Sequence, residues 1–456
     1  MFSEDGMFRR IVKWSAVSLG VLLTLLVVAV LGALSPGLYN RFSYFPREKA
    51  AWQQLAKSRV EAGVNTGWNE YKGSIHSHSE ISHDSDTSFP DIQKALKGIG
   101  SNFIMMSDHY VDGKADYSLG WKGDHDGILF IRGFEMDHGL MPWGLPDSTV
   151  FDAKEEVRAE AKRIRELGGV VAYAHCEETK ERDWDLPELE AMEIYNIHAT
   201  MLKHKTEKMV LWKMLATVLT CYNGYADQCF YSLFERPDEV LRRWDDLNVS
   251  RHISGFGGND THQNAGLKGM YTADGNLLLS DTGHKFEEKE KGGAIRLNFL
   301  TRSLLRMVYG PLEPGRQLFR YDLDNYVRSA LYVRTHLLAK NLTEPDLVDA
   351  LRAGRGFVSF DMVADGTGFV FMAQGAQNRA VMGESIKMEP GLALKAFSPC
   401  KGRFMLLHNG IKVDEQEGRE YDFTPKETGK YRIEVYLNVL GKDQLWLMTN
   451  PIAVTN

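Results

Sequence analysis

The segment SIHSHSEISHDSD, residues 74–86, places three of the chain's 14 histidines close together. Alternate side chains of a β-strand share one face, so a strand here would project His76 and His78 in the same direction. Two neutral imidazoles side by side are good ligands for a divalent transition-metal ion, and His83 follows shortly after them. An HxH pair alone is more often part of an exposed strand than of a metal site. The segment therefore indicates metal binding only if other ligands join it.

Histidines and acids also follow four later apolar segments. They are Asp108 and His109 after NFIMMS, Glu135 and His138 in GFEMDH, His175 after GVVAYA, and Asp260 and His262 in GGNDTH. Each one alone could cap a loop or be a solvated acid at a strand end. If all of them meet, their carboxylates would repel one another in a partly dry pocket, and divalent ions would remove that conflict. The joint pattern therefore favours a metal centre.

The apolar segments before these residues have the pattern of short buried strands, and helix-like stretches separate them. Examples are FPDIQKALKGIG and DAKEEVRAEAKRIRELGG, with Gly168 as the expected helix stop. Alternating strands and helices predict a parallel sheet or an α/β barrel. Ligands gather at the C-terminal ends of the strands in such folds, and the histidines and acids lie at those ends.

The motifs HSHSEISHDSD, SDH, GFE, AH and NDTH occur in the order shown by the polymerase and histidinol phosphatase (PHP) superfamily of metal-dependent phosphoesterases. The chain resembles this family over roughly residues 71–262, and the likeness continues in 342–361 and at the C-terminus. The resemblance implies an α/β fold built on a distorted (β/α)7 TIM-like barrel, residues 71–362. We expect helical insertions in it at about 199–250 and 263–340.

The resemblance also implies two or three bound divalent ions, zinc, manganese or iron, and a set of ligands. The implied ligands are His76, His78, Glu135 and Asp260 for one ion, His138 and His175 with a bridging Glu135 for a second, and His83, His109 and His262 for a third. The residues expected to act in catalysis are Glu135, His175, His262 and Asp108. Asp108 would orient its neighbour, and Asp84 or Asp86 could help to fix His83. His125 is an alternative to His138.

Hydrolysis of phosphate esters, mono- or diesters, is the activity that the resemblance implies. Two divalent ions would lower the pKa of a bridging water enough to make it a nucleophile and would bind phosphate oxygens. Arg132, Arg251 and Arg302 are candidates for gripping the phosphate of a substrate whose type the sequence leaves open. The alternatives are a non-catalytic protein that binds metal or docks a partner, and a hydrolase of a non-phosphate bond.

The N-terminal residues have the pattern of a membrane anchor. No charged side chain occurs in residues 14–40, and about 20 apolar residues span a bilayer. Basic residues before this run favour a cytoplasmic N-terminus, and a cleaved signal peptide is the alternative. We expect a tail and transmembrane helix in 1–40, a helical stalk in 41–70, and a single-pass protein whose catalytic domain is periplasmic or extracellular.

The C-terminal residues 366–456 alternate apolar and polar side chains between turn signals, which predicts a small β-sandwich domain. A chain of 456 residues is long enough for two domains. The net charge of −7 gives no indication of a nucleic-acid partner.

Overall fold

The computed structural model describes residues 4–178, 182–197, 208–283 and 294–456 and divides the chain into two compact units. The smaller unit comprises Met1–Ala51 and Leu202–Leu233, and the larger unit comprises Trp52–Met201 and Phe234–Asn456. Two parts of the predicted insertions, 199–207 and 284–293, lie outside the described residues. All the predicted metal ligands lie in the larger unit.

Helices and strands together make a mixed α/β fold. The helices in the described residues are α1 (Glu4–Tyr39), α2 (Phe45–Lys57), α3 (Phe89–Gly98), α4 (Val157–Glu166), α5 (Lys208–Tyr231), α6 (Asp238–Ser250), α7 (Phe299–Tyr309), α8 (Tyr326–Tyr332) and α9 (Glu344–Ala353), with a π-helix (Asn40–Tyr44) between α1 and α2. The strands are β1 (Asn69–Ser77), β2 (Phe103–Met105), β3 (Lys114–Asp116), β4 (Gly123–His125), β5 (Ile128–Ile131), β6 (Val150–Asp152), β7 (Ala172–Tyr173), β8 (Ala191–Asn196), β9 (Ser254–Thr261), β10 (Gly266–Tyr271), β11 (Leu277–Ser280), β12 (Ala294–Ile295), β13 (Gln317–Asp322), β14 (Arg334–Ala339), β15 (Gly356–Ser359), β16 (Val370–Gln374), β17 (Arg379–Val381), β18 (Ser385–Lys387), β19 (Ala393–His408), β20 (Ile411–Phe423), β21 (Gly429–Val439), β22 (Lys442–Thr449) and β23 (Ile452–Thr455).

Helices α1 and α5 pack against each other in the smaller unit. A Cβ atom at Gly37 would lie 2.2 Å from the carbonyl oxygen of Ala216, so glycine permits this close approach. The Nε1 of Trp212 donates to the carbonyl of Ala33 at 3.1 Å. Within the described residues, one helix, in Lys13–Lys57, is long and apolar enough to cross a membrane, a property that an N-terminal signal sequence shares.

A largely parallel sheet forms the centre of the larger unit. Its parallel strands follow the order β5-β2-β1-β9-β8-β7. Strand β4 pairs antiparallel with β5, and β14 pairs antiparallel with the first half of β1. Trp143 forms isolated bridges with Gly133, which follows β5, and with Val170, which precedes β7. The pairings confirm the parallel sheet that alternating strands and helices predict.

Helices α3 and α4 form where their periodicity predicts them. The Ser88 side chain caps α3 by accepting a hydrogen bond from the backbone N–H of Asp91. Ile92 and Leu96 are fully buried against β2 and β5, as the apolar face of an amphipathic helix requires. Helix α4 ends just before Gly168, where φ is 87° and glycine is the favoured residue.

The predicted insertion 263–340 contains a separate antiparallel sheet of order β12-β11-β10-β13, followed by α7 and α8. The sequence predicted a helical insertion here, so the four strands correct that expectation. Strand β10 has the sequence GLKGMY, and its two glycines weaken the strand signal. The sheet was therefore not apparent from the pattern of residues.

Strands β16 to β23 occupy the C-terminal region, as the alternating pattern predicts. Strand β19 pairs with β20 across a tight turn at Asn409 and Gly410, both of which have positive φ. Strand β22 also pairs with β15, which joins these strands to the central sheet through β14. Helix α2 ends at Lys57, and residues 58–68 contain neither helix nor strand, so the stalk is helical only in its first part.

Candidate metal centre

Three of the predicted ligands have a left-handed backbone conformation. The angle φ is 64° at His76, 47° at His175 and 46° at Asp260. Residues other than glycine seldom adopt such values, which cost about 1 kcal/mol or more each and concentrate at functional sites. The register of β1 against β9 also shifts between Ile75 and Ser77, so regular strand alternation is not what brings the histidines together.

The first group of ligand atoms belongs to His76, His78, Glu135 and Asp260 and fits within 4.8 Å. The Nε2 of His76 lies 3.3 Å from both Glu135 Oε2 and Asp260 Oδ1. The Nε2 of His78 lies 3.6 Å and 3.4 Å from the same two oxygens. Two buried imidazoles therefore face two buried carboxylates, a donor set that suits zinc, manganese or iron.

Glu135 connects this group to His175. Its Oε1 lies 2.8 Å from the Nε2 of His175, while its Oε2 faces His76 and His78. The other carboxylate of the group, Asp260, places Oδ2 at 3.7 Å from the same His175 nitrogen. Glu135 thus occupies the position that a carboxylate shared between two ions would have.

A second group of ligand atoms belongs to His78, Asp84, His109 and His262. The rings of His78 and His262 stack with centroids 3.8 Å apart. The Oδ2 of Asp84 lies 3.1 Å from His262 Nε2 and 3.6 Å from His109 Nε2. Since His78 belongs to both groups, the two sets of donors are continuous.

The buried carboxylate of Glu193 positions His76 and His175. Its Oε1 accepts a hydrogen bond of 2.7 Å from Nδ1 of His76, and its Oε2 accepts one of 2.7 Å from the backbone N–H of His175. A proton on Nδ1 leaves the Nε2 of His76 free to act as a ligand, and such outer partners orient metal-binding histidines. Glu193 lies within residues 71–262, but the ligands and catalytic residues predicted from the sequence did not include it. An acid inside the apolar strand AMEIYN was the available signal.

Asp108 and Ser82 fix the ring of His78. The Asp108 carboxylate accepts hydrogen bonds from Ser79 N at 2.6 Å and from Ser82 Oγ at 2.8 Å. The Ser82 hydroxyl donates its proton to Asp108, so it must accept from His78 Nδ1, which lies 3.2 Å away, and it also accepts from His109 N at 3.0 Å. The Asp108 carboxylate therefore acts on His78 through Ser82, whereas the sequence predicted that it orients its chain neighbour.

Apart from His175, which contacts the first group through Glu135, two of the predicted ligands lie outside both groups in the described residues. His83 is exposed, and its ring centroid is 5.0 Å from that of His109. The sequence predicted His83 as a ligand of the third ion, whereas the side chain of the next residue, Asp84, points towards the centre. His138 pairs instead with the buried carboxylate of Glu160 on α4.

The remaining polar candidates are engaged elsewhere. His125 stacks on Trp121 with ring centroids 4.0 Å apart. The guanidinium groups of Arg132, Arg251 and Arg302 all donate to backbone carbonyls. These contacts give the three arginines a structural role. They do not direct any of the three guanidinium groups at the centre.

The charges of the centre shift the pKa values of its members. Burial lowers the pKa of His76, but the neighbouring carboxylates, Asp260 foremost, outweigh it and raise the pKa well above its usual value. Burial favours a high pKa for Glu135, yet His76 and His175 hold it well below the usual range. Burial and the nearby imidazoles lower the pKa of His78, so this ring is neutral.

The residues present fit divalent metal ions. Nδ1 of His78 donates to Ser82, so its Nε2 carries a lone pair that points towards the carboxylates of Glu135 and Asp260. This buried Nε2 has no hydrogen-bond partner in the part of the chain that the structure describes. A lone pair facing carboxylate oxygens is repulsive unless a cation lies between them.

One side of the centre is open to solvent. The side chains of His175, Asp84 and His109 are 19%, 20% and 26% exposed, whereas those of His76 and Asp260 are almost completely buried. A small molecule can therefore reach the centre at the side where His175, Asp84 and His109 lie.

A further cluster of potential ligands, His336, Asp361 and Asp365, has a different character. Lys72 Nζ lies 2.7 Å from Asp365, and an Arg334 nitrogen lies 3.4 Å from Asp361. The protein's own cations already neutralise these carboxylates, so the cluster is a structural ion-pair network rather than a second metal site.

Comparison with solved structures gives distant likenesses. No protein-family model and no curated protein matches the chain. A solved two-domain protein from Bacteroides vulgatus ATCC 8482, which contains a predicted PHP-like metal-dependent phosphoesterase, matches with 13% identity and a TM-score of 0.36. The match covers 86% of this chain and 98% of that one.

Proposed function

We propose that this chain is a metal-dependent hydrolase of phosphate esters. The observation that carries the proposal is the buried Nε2 of His78, which Ser82 forces to direct its lone pair at two carboxylates. A divalent cation between these atoms makes the arrangement favourable, and the surrounding donors would suit a site with two or three ions.

The ligands follow from the two groups. The first group and His175 would hold two ions that share Glu135, and Asp84, His109 and His262 would hold a third. Divalent ions bound there would acidify a water molecule and neutralise charge on the phosphoryl oxygens of a substrate. Metal analysis of the purified protein would distinguish zinc, manganese and iron.

The chain's own residues hold this arrangement in place. Glu193 fixes the proton of His76 on Nδ1, and Asp108 does the same for His78 through Ser82. Glu135, His175 and His262 would contact the reacting groups, while Asp108 would act through its neighbours. The surrounding structure would have to maintain the strained backbone at three ligands.

The proposed architecture is that of a PHP protein. We assign the strands of the central sheet and the Trp143 segment to a distorted (β/α)7 barrel and residues 366–456 to a β-sandwich domain. The long apolar α1 would anchor the protein, with the stalk in 41–70 and the catalytic domain outside the cytoplasm. The sequence motifs and the bridges of Trp143 to both flanks of the sheet support this assignment.

A double substitution, His76→Ala with His78→Ala, tests the function. We expect the purified full-length variant to lose its bound metal and its phosphoesterase activity while its circular dichroism spectrum is retained. His252→Ala is the matched control, because His252 bonds to the carbonyl of Ala353 outside the centre and should leave both unchanged. Metal content near zero in the unsubstituted protein would contradict the proposal and favour a non-catalytic role.

An assay panel separates the remaining alternative. Phosphomonoesters and phosphodiesters should be hydrolysed by the metal-loaded protein, and amide and lactone substrates should not. If only amides or lactones are hydrolysed, the centre acts on another class of bond and not on phosphate esters.

A further inference from the structure

Helix α7 presents an exposed apolar surface, which we call the α7 face. It consists of Phe299, Leu300, Leu304, Met307 and Val308, which are 48% to 87% exposed. These residues recur at spacings of three and four along the helix and so share one side of it. Every residue of α7 is at least partly exposed.

The opposite side of α7 is attached to the antiparallel sheet β12-β11-β10-β13. The ring of Tyr309 lies 5.9 Å from that of Phe319 on β13, and Arg302 donates to the carbonyl of Gly275. The Asn298 side chain caps the helix by accepting from Thr301 N at 2.9 Å. The α7 face is therefore displayed by a fixed, capped helix.

The charged residues of α7 and of the segment just before it have one sign, and the first acid that follows them is Glu313. Within residues 294–312 the sequence contains Arg296, Arg302 and Arg306 and no aspartate or glutamate. Arg296 and Arg306 are exposed, and Ile295 beside them is 48% exposed. An apolar helix side bordered by arginines is the signature of a helix that lies in the interface of an anionic membrane.

We propose that the α7 face docks onto an anionic lipid bilayer. Its five apolar side chains would enter the boundary between headgroups and acyl chains, and Arg296 and Arg306 would contact lipid phosphates. The chain also contains a helix long and apolar enough to cross a membrane, so a bilayer is a surface that this protein would meet. This inference does not depend on the catalytic proposal.

Docking would have a consequence for the candidate metal centre. Strand β10 of the sheet that supports α7 begins at Gly266, four residues after His262. The backbone N–H groups of Asn264 and Ala265 both donate to Asp324, which fastens this connection. A bilayer bound at the α7 face would therefore contact a sheet that is directly connected along the chain to His262.

Fluorescent labelling of the full-length protein tests the proposal. The four native cysteines are buried, so Met307→Cys gives a single reactive site for an environment-sensitive fluorophore. In vesicles that contain phosphatidylglycerol, we expect the emission to shift to shorter wavelength and lipids brominated on their acyl chains to quench it several-fold. Ile411→Cys is the matched control, because Ile411 is an equally prominent exposed apolar residue, 71% exposed, on β20.

Three outcomes decide the result. Strong quenching at Met307→Cys, weak quenching at Ile411→Cys and a clear loss of the former with Leu304→Glu would support docking. Equal responses at both labels, or none at Met307→Cys, would overturn it, including in favour of a protein partner. Equal quenching in phosphatidylcholine alone would overturn the preference for anionic lipid.

Discussion

Glu193 joins His76 and His175 through two hydrogen bonds of 2.7 Å, one to an imidazole nitrogen and one to a backbone N–H. The two histidines come from different strand ends and both have positive φ. One fully buried carboxylate thus fixes the tautomer of one candidate ligand and the strained backbone of another.

Glu193→Gln should weaken metal binding without changing any candidate ligand. The amide cannot accept both hydrogen bonds as the carboxylate does, and loss of such outer partners typically costs about 10- to 100-fold in metal affinity. Competition with a chromophoric chelator measures the change. Glu166→Gln, at the exposed end of α4, is the control and should bind metal as the unsubstituted protein does. Equal affinities for the two variants would contradict the role of Glu193.

Asp84 and His83 provide a contrasting pair of adjacent residues. Asp84→Asn should remove the third ion and lower activity, because its carboxylate contacts His109 and His262. His83→Ala should retain most of both, since its ring is exposed. Metal content per chain and phosphoesterase rate measure the two effects. The reverse ranking would restore His83 as the ligand that the sequence analysis assigned.

The strand ends could be predicted from the sequence, whereas the orientation of His83 and Asp84 in their loop could not. Apolar runs ending in polar residues identified the strands that precede Asp108, Glu135 and His175 and the strand that contains Asp260, because a buried strand has a clear composition. Residues 79–88 lie in an irregular loop with no periodicity, so nothing in the sequence tells which of two adjacent side chains turns inwards.

Contacts between distant elements were also beyond the sequence. His138 lies three residues after Glu135, yet it pairs with Glu160 from α4, a contact set by helix packing. Strand alternation predicted a common direction for His76 and His78, but a register shift and a left-handed His76 produce the convergence. Local backbone strain of this kind cannot be recognised from the order of residues in the sequence.

His336 should make stability depend on pH above neutrality. Burial lowers its pKa, but Asp361 and Glu70 outweigh this and raise the pKa to about 9. The stabilisation is complete below the unfolded pKa of about 6.5 and is lost as pH rises through about 9, a loss of roughly 3 kcal/mol. Chemical denaturation at a series of pH values measures the decline. His336→Gln should reduce the decline and His83→Gln should not, and an unchanged decline in the first variant would contradict this origin.

Ser82→Ala tests the arrangement that directs His78 towards the carboxylates. The substitution removes the acceptor for His78 Nδ1 and a donor to the buried Asp108, so we expect about 1–3 kcal/mol lower stability and about 10-fold weaker metal binding. Thermal unfolding and chelator competition measure the two changes. Ser101→Ala is a matched control, since Ser101 is a buried serine whose hydroxyl has no hydrogen-bond partner in the described parts of the chain. If both serine variants bind metal equally well, Ser82 does not set the orientation of His78, and the lone-pair argument for the metal centre fails with it.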